Sequence, residues 1–229
     1  MERVALDIIG PLPTSKRGNK YILVITDYFT CWVEAFSLPN QEALTVAQTV
    51  YNEWICRFGA PVAIHSDQGR NFESSMFAEL CLLLGIHKTR TSPYHPQSDG
   101  LVERFNRTLR MLLTTHMQEV PEDTWDDHLP PLMLAYWSSV HKSINFTPHH
   151  VMFGREVRLP IDIMFGGGLA PGETPLEYAV RLREHLEGAY RSARKHLRGA
   201  QKRQKEQYDR KATGGRYAVG DLVCGYTLL

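Results

Sequence analysis

Apolar and polar positions along the chain separate into short extended runs, then helices. "RVALDIIGPL" is an apolar run broken by one acid, Asp7, and closed by Gly10-Pro11, the pattern of a buried strand. "KYILVITDYF" and "CWVEAFSL" read as a second and a third strand, and "PLPTSKRGN" as a hairpin loop with a Gly-Asn turn between the first two. These three lie close enough in sequence to form an antiparallel meander. "NQEALTVAQTVYNEWICRFG" has helical spacing, with Asn40 as N-cap, a stripe of Leu44, Ala47, Val50, Tyr51 and Trp54, and Gly59 as C-cap. "PVAIHSD" is a short strand stopping at Asp67, and "QGRNF" is a turn. "SSMFAELCLLLG" is a Ser-capped helix ended by Gly85, and "IHKTRTS" is another strand.

Next comes a Pro- and Ser-rich loop, "SPYHPQSDG", and then the helical "LVERFNRTLRMLL", capped by Ser98 or Asp99. Val102, Phe105, Leu109 and Leu112 form its core face; Glu103, Asn106, Arg107 and Arg110 form its polar face. "TWDDHLPPLMLAYWSSVH" is a further helix that Pro130-Pro131 must kink or restart. "SINFTPHHVMFGREVRLPID" reads as irregular chain around a short helix. Gly166, Gly167 and Gly168 mark a boundary. Leu176, Ala179, Leu182, Leu186, Ala189, Ala193, Leu197 and Ala200 then recur in steps of three or four, predicting one long amphipathic helix over 175–211. "RYAVGDLVCGYTLL" reads as a strand, a Gly-Asp turn and a strand, the beginning of a β-module that does not close. Strands alternating with helices in this order predict an α/β fold with a mixed sheet.

Composition narrows the function classes. At 229 residues, 43% hydrophobic and 22% charged, the chain has the makeup of a globular protein with one domain and an appendage. It holds no apolar run of about 18 residues, so no membrane partner is expected, and "MERVALDIIG" lacks the pattern of a secretory signal. Cys31, Cys56, Cys81 and Cys224 are scattered without a CxxC pair, which argues against a zinc module and a disulfide framework. A reducing compartment follows, nucleus or cytosol. The net charge of +1 conceals an asymmetry: residues 181–216 carry twelve Lys or Arg against four acids. Such a segment suits a polyanion partner, or is a solvated helix face.

Two carboxylates occupy unusual places. Asp7 interrupts an apolar strand, where a charge is costly unless paired or metal-bound. Asp67 directly follows a strand, at the end where α/β sheets bind ligands. Glu103 enters from the first turn of a helix. Three carboxylates without a His-Cys set suit a hard cation, Mg²⁺ or Mn²⁺. Two such ions roughly 3.5–4 Å apart serve phosphodiester chemistry. Each acid also has an ordinary reading: a turn cap or ion-pair member for either Asp, and a favourable helix-dipole contact for Glu103. His65, His87, His95 and His116 are not needed by a carboxylate site, and the four tryptophans sit in apolar patterns typical of core.

"VALDIIGPLP", "IHSDQGRNFES" and "SPYHPQSDGLVERFNRTLR" resemble the integrases of retroviruses and long-terminal-repeat retrotransposons, the Ty3/gypsy group most closely. Thirty-five residues, 68–102, separate Asp67 from Glu103, matching the family's D,D-35-E pattern. "TPHHVMFGREVRLPID" resembles the segment after the catalytic core in gypsy elements. The resemblance implies an RNase H-like fold, a mixed five-stranded sheet flanked by helices, in which Asp7, Asp67 and Glu103 bind two Mg²⁺ or Mn²⁺ ions. It implies metal-dependent processing of DNA 3′ ends and strand transfer, with element ends and a target duplex as partners, a homo-oligomeric assembly and a nuclear setting. Tyr94, His95, Gln97 and Ser98 of the loop before Glu103, Asn106, Arg107 and Arg110 of the helix after it, and Asn71 beyond Asp67 become expected DNA contacts. The organisation implied is a catalytic core over 1–165, a linker over 166–174, a basic helix over 175–215, and the start of a truncated SH3-like module over 216–229. No paired His precedes a CxxC, so the family's N-terminal zinc domain is not expected within these residues. A fragment, a degenerate copy or a domesticated binding module would each look like this, and an RNase H-type ribonuclease shares the fold and metals.

Overall fold

The computed structural model describes residues 1–90, 100–117, 121–159 and 175–211. Strands β1 (Arg3–Ile9), β2 (Tyr21–Asp27) and β3 (Val33–Leu38) form the antiparallel meander. Strands β4 (Ala63–Ser66) and β5 (His87–Arg90) add to it in parallel, giving one five-stranded sheet in the order β3-β2-β1-β4-β5. β1 is central, between β2 and β4, and neither neighbour has an exposed residue.

Helices cover both faces. Between β3 and β4 run α1 (Ala43–Thr49), a π-helical turn (Val50–Ile55) and the short α2 (Cys56–Phe58). With α3 (Ser75–Leu83), they cover the face carrying Val4, Leu6, Leu23 and Ile25, burying Val46, Val50, Trp54, Phe72 and Phe77. The opposite face carries Ile9, Ile22, Val24 and Val33. It is covered by α4 (Gly100–Met117), a 3₁₀ turn (Glu122–His128) and α5 (Leu129–Ser138), through Phe105, Leu109, Leu113, Trp125 and Met133.

Pro130 and Pro131 restart the helix rather than kink it: both fall in the first turn of α5, where a missing N–H costs nothing. Ser74 caps α3 by accepting from the Phe77 N–H at 3.2 Å, and Gly59 and Gly85 take the left-handed φ of helix ends, +84° and +66°.

Three local expectations are corrected. Asn40 does not cap α1; its side-chain Oδ1 accepts from the Glu42 N–H at 3.0 Å, and the helix begins at Ala43. Leu44 and Tyr51 lie outside the core, and Val46 takes the buried place. The wider π turn favours steps of four, so the buried face runs through 46, 50 and 54. On α4, among the described residues, Phe105, Leu109 and Leu113 are the buried apolar side chains, and Leu112 is not fully buried.

The short α6 (Pro148–Phe153) is capped by Thr147, which accepts from the His150 N–H at 3.0 Å, and ends at Gly154 in the left-handed conformation. Gly154 is also a close approach: a Cβ there would lie 2.7 Å from Leu186 Cγ and 2.8 Å from Leu182 Cδ1. These leucines belong to the long helix α7 (Pro175–Lys211). Ala193 packs α7 beside Cys31, Ile144 and Val151, and Ala189 is also buried, whereas residues 201–203 are exposed. The anticipated linker, 166–174, and β-module, 216–229, lie outside the described residues.

Candidate active site

Alternation along β1 sets the direction of Asp7. Val4 and Leu6 enter the layer under α1 and α3, and Ile9 enters the layer under α4. Asp7, two residues before Ile9, therefore points toward α4. Its Oδ1 accepts from the Ile8 N–H at 2.7 Å, and its Oδ2 accepts a short hydrogen bond from Asn106 Nδ2. Asn106 is only 7% exposed, so the polar face of α4 is not uniformly solvated: its amide is turned inward onto the carboxylate. Glu103 stands three residues earlier on the same helix, hence on the same face one turn nearer the N-terminus. Its side chain lies outside the described residues.

Asp67 reaches the same region through the parallel ladder. Leu6 pairs with Ser66, and the next residues along each chain are Asp7 and Asp67. Neighbouring strands lie about 4.8 Å apart, so two carboxylates leave adjacent strands side by side. Asp67 is exposed and its Oδ1 accepts from the Gly69 N–H at 3.0 Å, an Asx-type turn. Gly69 is required by closeness rather than by φ: a Cβ there would sit 2.7 Å from Asn71 Oδ1 and 2.9 Å from Asp67 Oδ1. Asn71 is half-buried, and its Nδ2 has no hydrogen-bond partner among the described residues. Glu73, at the end of this turn, is ion-paired to Lys88 at 2.5 Å and Arg90 at 3.6 Å on β5.

The remaining anticipated residues divide. Arg107 is exposed on α4. The Arg110 side chain and the loop residues Tyr94, His95, Gln97 and Ser98 lie outside the described residues. His65 is buried, with Nδ1 at 2.8 Å from Thr89 Oγ1, a tie between β4 and β5. Among the described residues, no three His, Cys, Asp or Glu side chains form a metal cluster. Asp7 and Asp67 nevertheless fit a divalent hard cation: both are carboxylates, and the Asn106 amide and backbone N–H groups orient their oxygens.

Residues 1–96 match the family model described as "Integrase core domain". The chain carries an integrase catalytic core of the retroviral and retrotransposon kind. It is 31% identical over 222 residues, 97% of its length, to the retrovirus-related Pol polyprotein from transposon 412 of Drosophila melanogaster, and spans 18% of that polyprotein. It is 28% identical to the catalytic core domain of BIV integrase, with a TM-score of 0.53 over 66% of this chain and 92% of that one. The HTLV-2 integrase catalytic core domain in complex with magnesium shares the fold, at 20% identity and a TM-score of 0.53, over 65% of this chain and 94% of that one. The integrase core therefore has the RNase H-like architecture expected from the sequence.

Sequence reasoning placed Asn106 among DNA contacts and missed its bond to Asp7. The signal was present: Asn106 and Glu103 are three apart, so they share a face of the helix.

Proposed function

We propose that the chain is the catalytic part of an integrase-type polynucleotidyl transferase acting on DNA. The observation that supports this best is the placement of Asp7 and Asp67 side by side on β1 and β4, with α4 tied to Asp7 through Asn106 one turn beyond Glu103. Asp7, Asp67 and Glu103 are the proposed metal ligands. Two Mg²⁺ or Mn²⁺ ions, when bound, would supply activation of the attacking oxygen and charge neutralisation at the leaving oxygen.

The chain's own residues fix the geometry. Asn106 holds the Asp7 carboxylate toward α4, and the Gly69 N–H holds Asp67 at the strand end. Arg107 and Arg110, on the same helix, supply phosphate contacts, and Tyr94, His95, Gln97 and Ser98 meet the DNA end. Asn71 faces the passage for target DNA. In the first reaction, water attacks a phosphodiester near a DNA 3′ end; the 3′ oxygen of the element strand departs and takes up a proton as a free hydroxyl, and the released nucleotides keep the phosphate at their 5′ end. In the second, the freed 3′ hydroxyl attacks a phosphodiester of another duplex, whose own 3′ oxygen departs. Both ends of a DNA element must react together, which favours a homo-oligomer, and the substrate favours a nuclear setting.

Asp67→Asn tests the reading because Asp67 is exposed and its replacement keeps the shape. Mn²⁺-dependent strand transfer or disintegration should disappear while the unfolding midpoint stays unchanged. Retained activity would remove Asp67 from the mechanism.

A further inference from the structure

A cavity of about 730 Å³ lies between the turn that follows β2 and the helix α7, away from the paired acids. The register puts it there: Asp27, at its base, is opposite Val4, whereas Asp7 is opposite Val24, three residue pairs further along the ladder and on the other face of the sheet.

Asp27 is the unusual group. It is 1% exposed, and Oδ2 takes both donors of Thr30, the N–H at 2.8 Å and the hydroxyl at 2.7 Å. Oδ1 is buried with no hydrogen-bond partner among the described residues. A buried carboxylate oxygen without a donor is costly, and burial raises the Asp27 carboxyl above its usual range. The Tyr190 phenol, on the α7 side, is raised in turn by burial and by the Asp27 charge.

The walls and rim carry different chemistry. Phe29 and Phe58 give aromatic surface, and Tyr190 meets Phe29 edge-on at 5.3 Å. Arg194 and Arg198 stand one turn apart on α7, exposed, with the Arg194 guanidinium 5.5 Å over the Phe29 ring. Among the described residues neither has a carboxylate within salt-bridge distance. Glu2 also lines the cavity. The site therefore combines an acceptor at the base, a π-surface along one wall and two cations at the mouth, in the volume range of small-molecule sites.

We propose that this cavity binds one nucleotide unit, its base against Phe29 and Phe58, an exocyclic amine or ring N–H donated to Asp27 Oδ1, and its phosphate on Arg194 and Arg198. Each part of the ligand answers one part of the site: bases stack on aromatic rings, amino groups of bases donate to carboxylates, and arginine pairs hold phosphate. The unit comes either from a free nucleotide or from a single strand of nucleic acid.

The full chain, in EDTA so that no metal contributes, is titrated calorimetrically with dCMP, dAMP, dGMP and dTMP. In parallel it is photocrosslinked to a single-stranded oligonucleotide carrying 5-iodocytosine. Saturable mononucleotide binding supports the free-ligand source. Crosslinks to Phe29 or Tyr190 without mononucleotide binding support the strand source. Arg194→Ala/Arg198→Ala, both on the exposed side of α7, should weaken whichever signal appears at least about tenfold while circular dichroism is unchanged. Asp27→Asn keeps an oxygen for Thr30 and turns an amide N–H₂ into the cavity, so dCMP and dAMP binding should fall by about the same factor. Asp67→Asn should bind as the unsubstituted chain does. The proposal is overturned by neither binding nor crosslinking, by a signal insensitive to both cavity variants, or by one that Asp67→Asn abolishes, since that would put the nucleotide at the paired acids.

Discussion

Replacing Asn106 by Ala separates the support of the acidic site from its chemistry. The side chain is 7% exposed and donates to Asp7 Oδ2, a hydrogen bond to a charged group. Such bonds contribute about 1.5–3 kcal/mol. Two features reduce the loss in stability. Asp7 is only half-buried, so water can replace the lost donor, and Asn106 Oδ1 is itself buried with no partner among the described residues, so its removal relieves about 1 kcal/mol. The net cost is about 1 kcal/mol, or roughly 2–4 °C in unfolding midpoint for a domain of this size. Activity should fall much further. A group that orients a metal-binding carboxylate typically contributes 10–100-fold to metal affinity or rate, so Mn²⁺-dependent disintegration should drop by about that factor, partly restored by raising Mn²⁺. Asn106→Asp should do worse, because it sets a second carboxylate against Asp7. Calorimetric unfolding and a Mn²⁺ titration of activity measure the two effects together. If Asn106→Ala loses several kcal/mol of stability while its activity per folded molecule is unchanged, Asn106 is a core residue and does not position Asp7.

Three further outcomes follow from the packing. Gly154→Ala puts a Cβ against Leu182 and Leu186 and takes a left-handed backbone that L residues disfavour by about 1–2 kcal/mol; α7 should become susceptible to limited proteolysis and the midpoint should fall by about 4–8 °C if the total reaches about 2 kcal/mol. Asp27 has a raised folded-state pKa, so its ionisation opposes folding: stability is favoured below the ordinary carboxylate pKa and lost as pH rises through the raised value. Asp27→Asn should therefore exceed the unsubstituted chain in denaturant midpoint at neutral pH, the gap closing as pH falls below about 4. Asp126 behaves oppositely: burial acts to raise its carboxyl, but bonds from Ser15 and Asn19, each at 2.7 Å, outweigh this and hold it below the usual range. Its contribution is present above the ordinary carboxylate pKa and lost as pH falls through the lowered value. Ser15→Ala should shift the acid unfolding midpoint upward in a circular-dichroism titration.

Much of the fold was legible because β1 and β2 are largely apolar on both faces and the turns carry Gly and Pro. The meander over "KYILVITDYF" and "CWVEAFSL", the stop at Asp67 and the restart at Pro130-Pro131 follow from local patterns that tertiary contacts reinforce. Legibility failed where the helical period itself changed. The π turn over Val50–Ile55 moves the buried face from Leu44 and Tyr51 to Val46, and propensity carries no sign of an i→i+5 turn. In the candidate site, sequence marked Asp7 by the cost of an acid in an apolar strand and Asp67 by its strand end. It did not give the β1–β4 register that sets them side by side, because parallel pairing is fixed by contacts 60 residues apart. Asp27 escaped notice for a related reason. It was not singled out within "KYILVITDYF", because its burial beside the α7 cavity is set by tertiary contacts rather than by local pattern.

The proposed chemistry stands or falls on where divalent ions bind. A crystal of the chain grown with Mn²⁺ and measured at the manganese absorption edge locates them by anomalous scattering. Peaks roughly 2.1 Å from carboxylate oxygens of both Asp7 and Asp67, with Glu103 completing the set, are the expected result. Density that avoids both aspartates at saturating Mn²⁺ would contradict the metal-dependent mechanism outright.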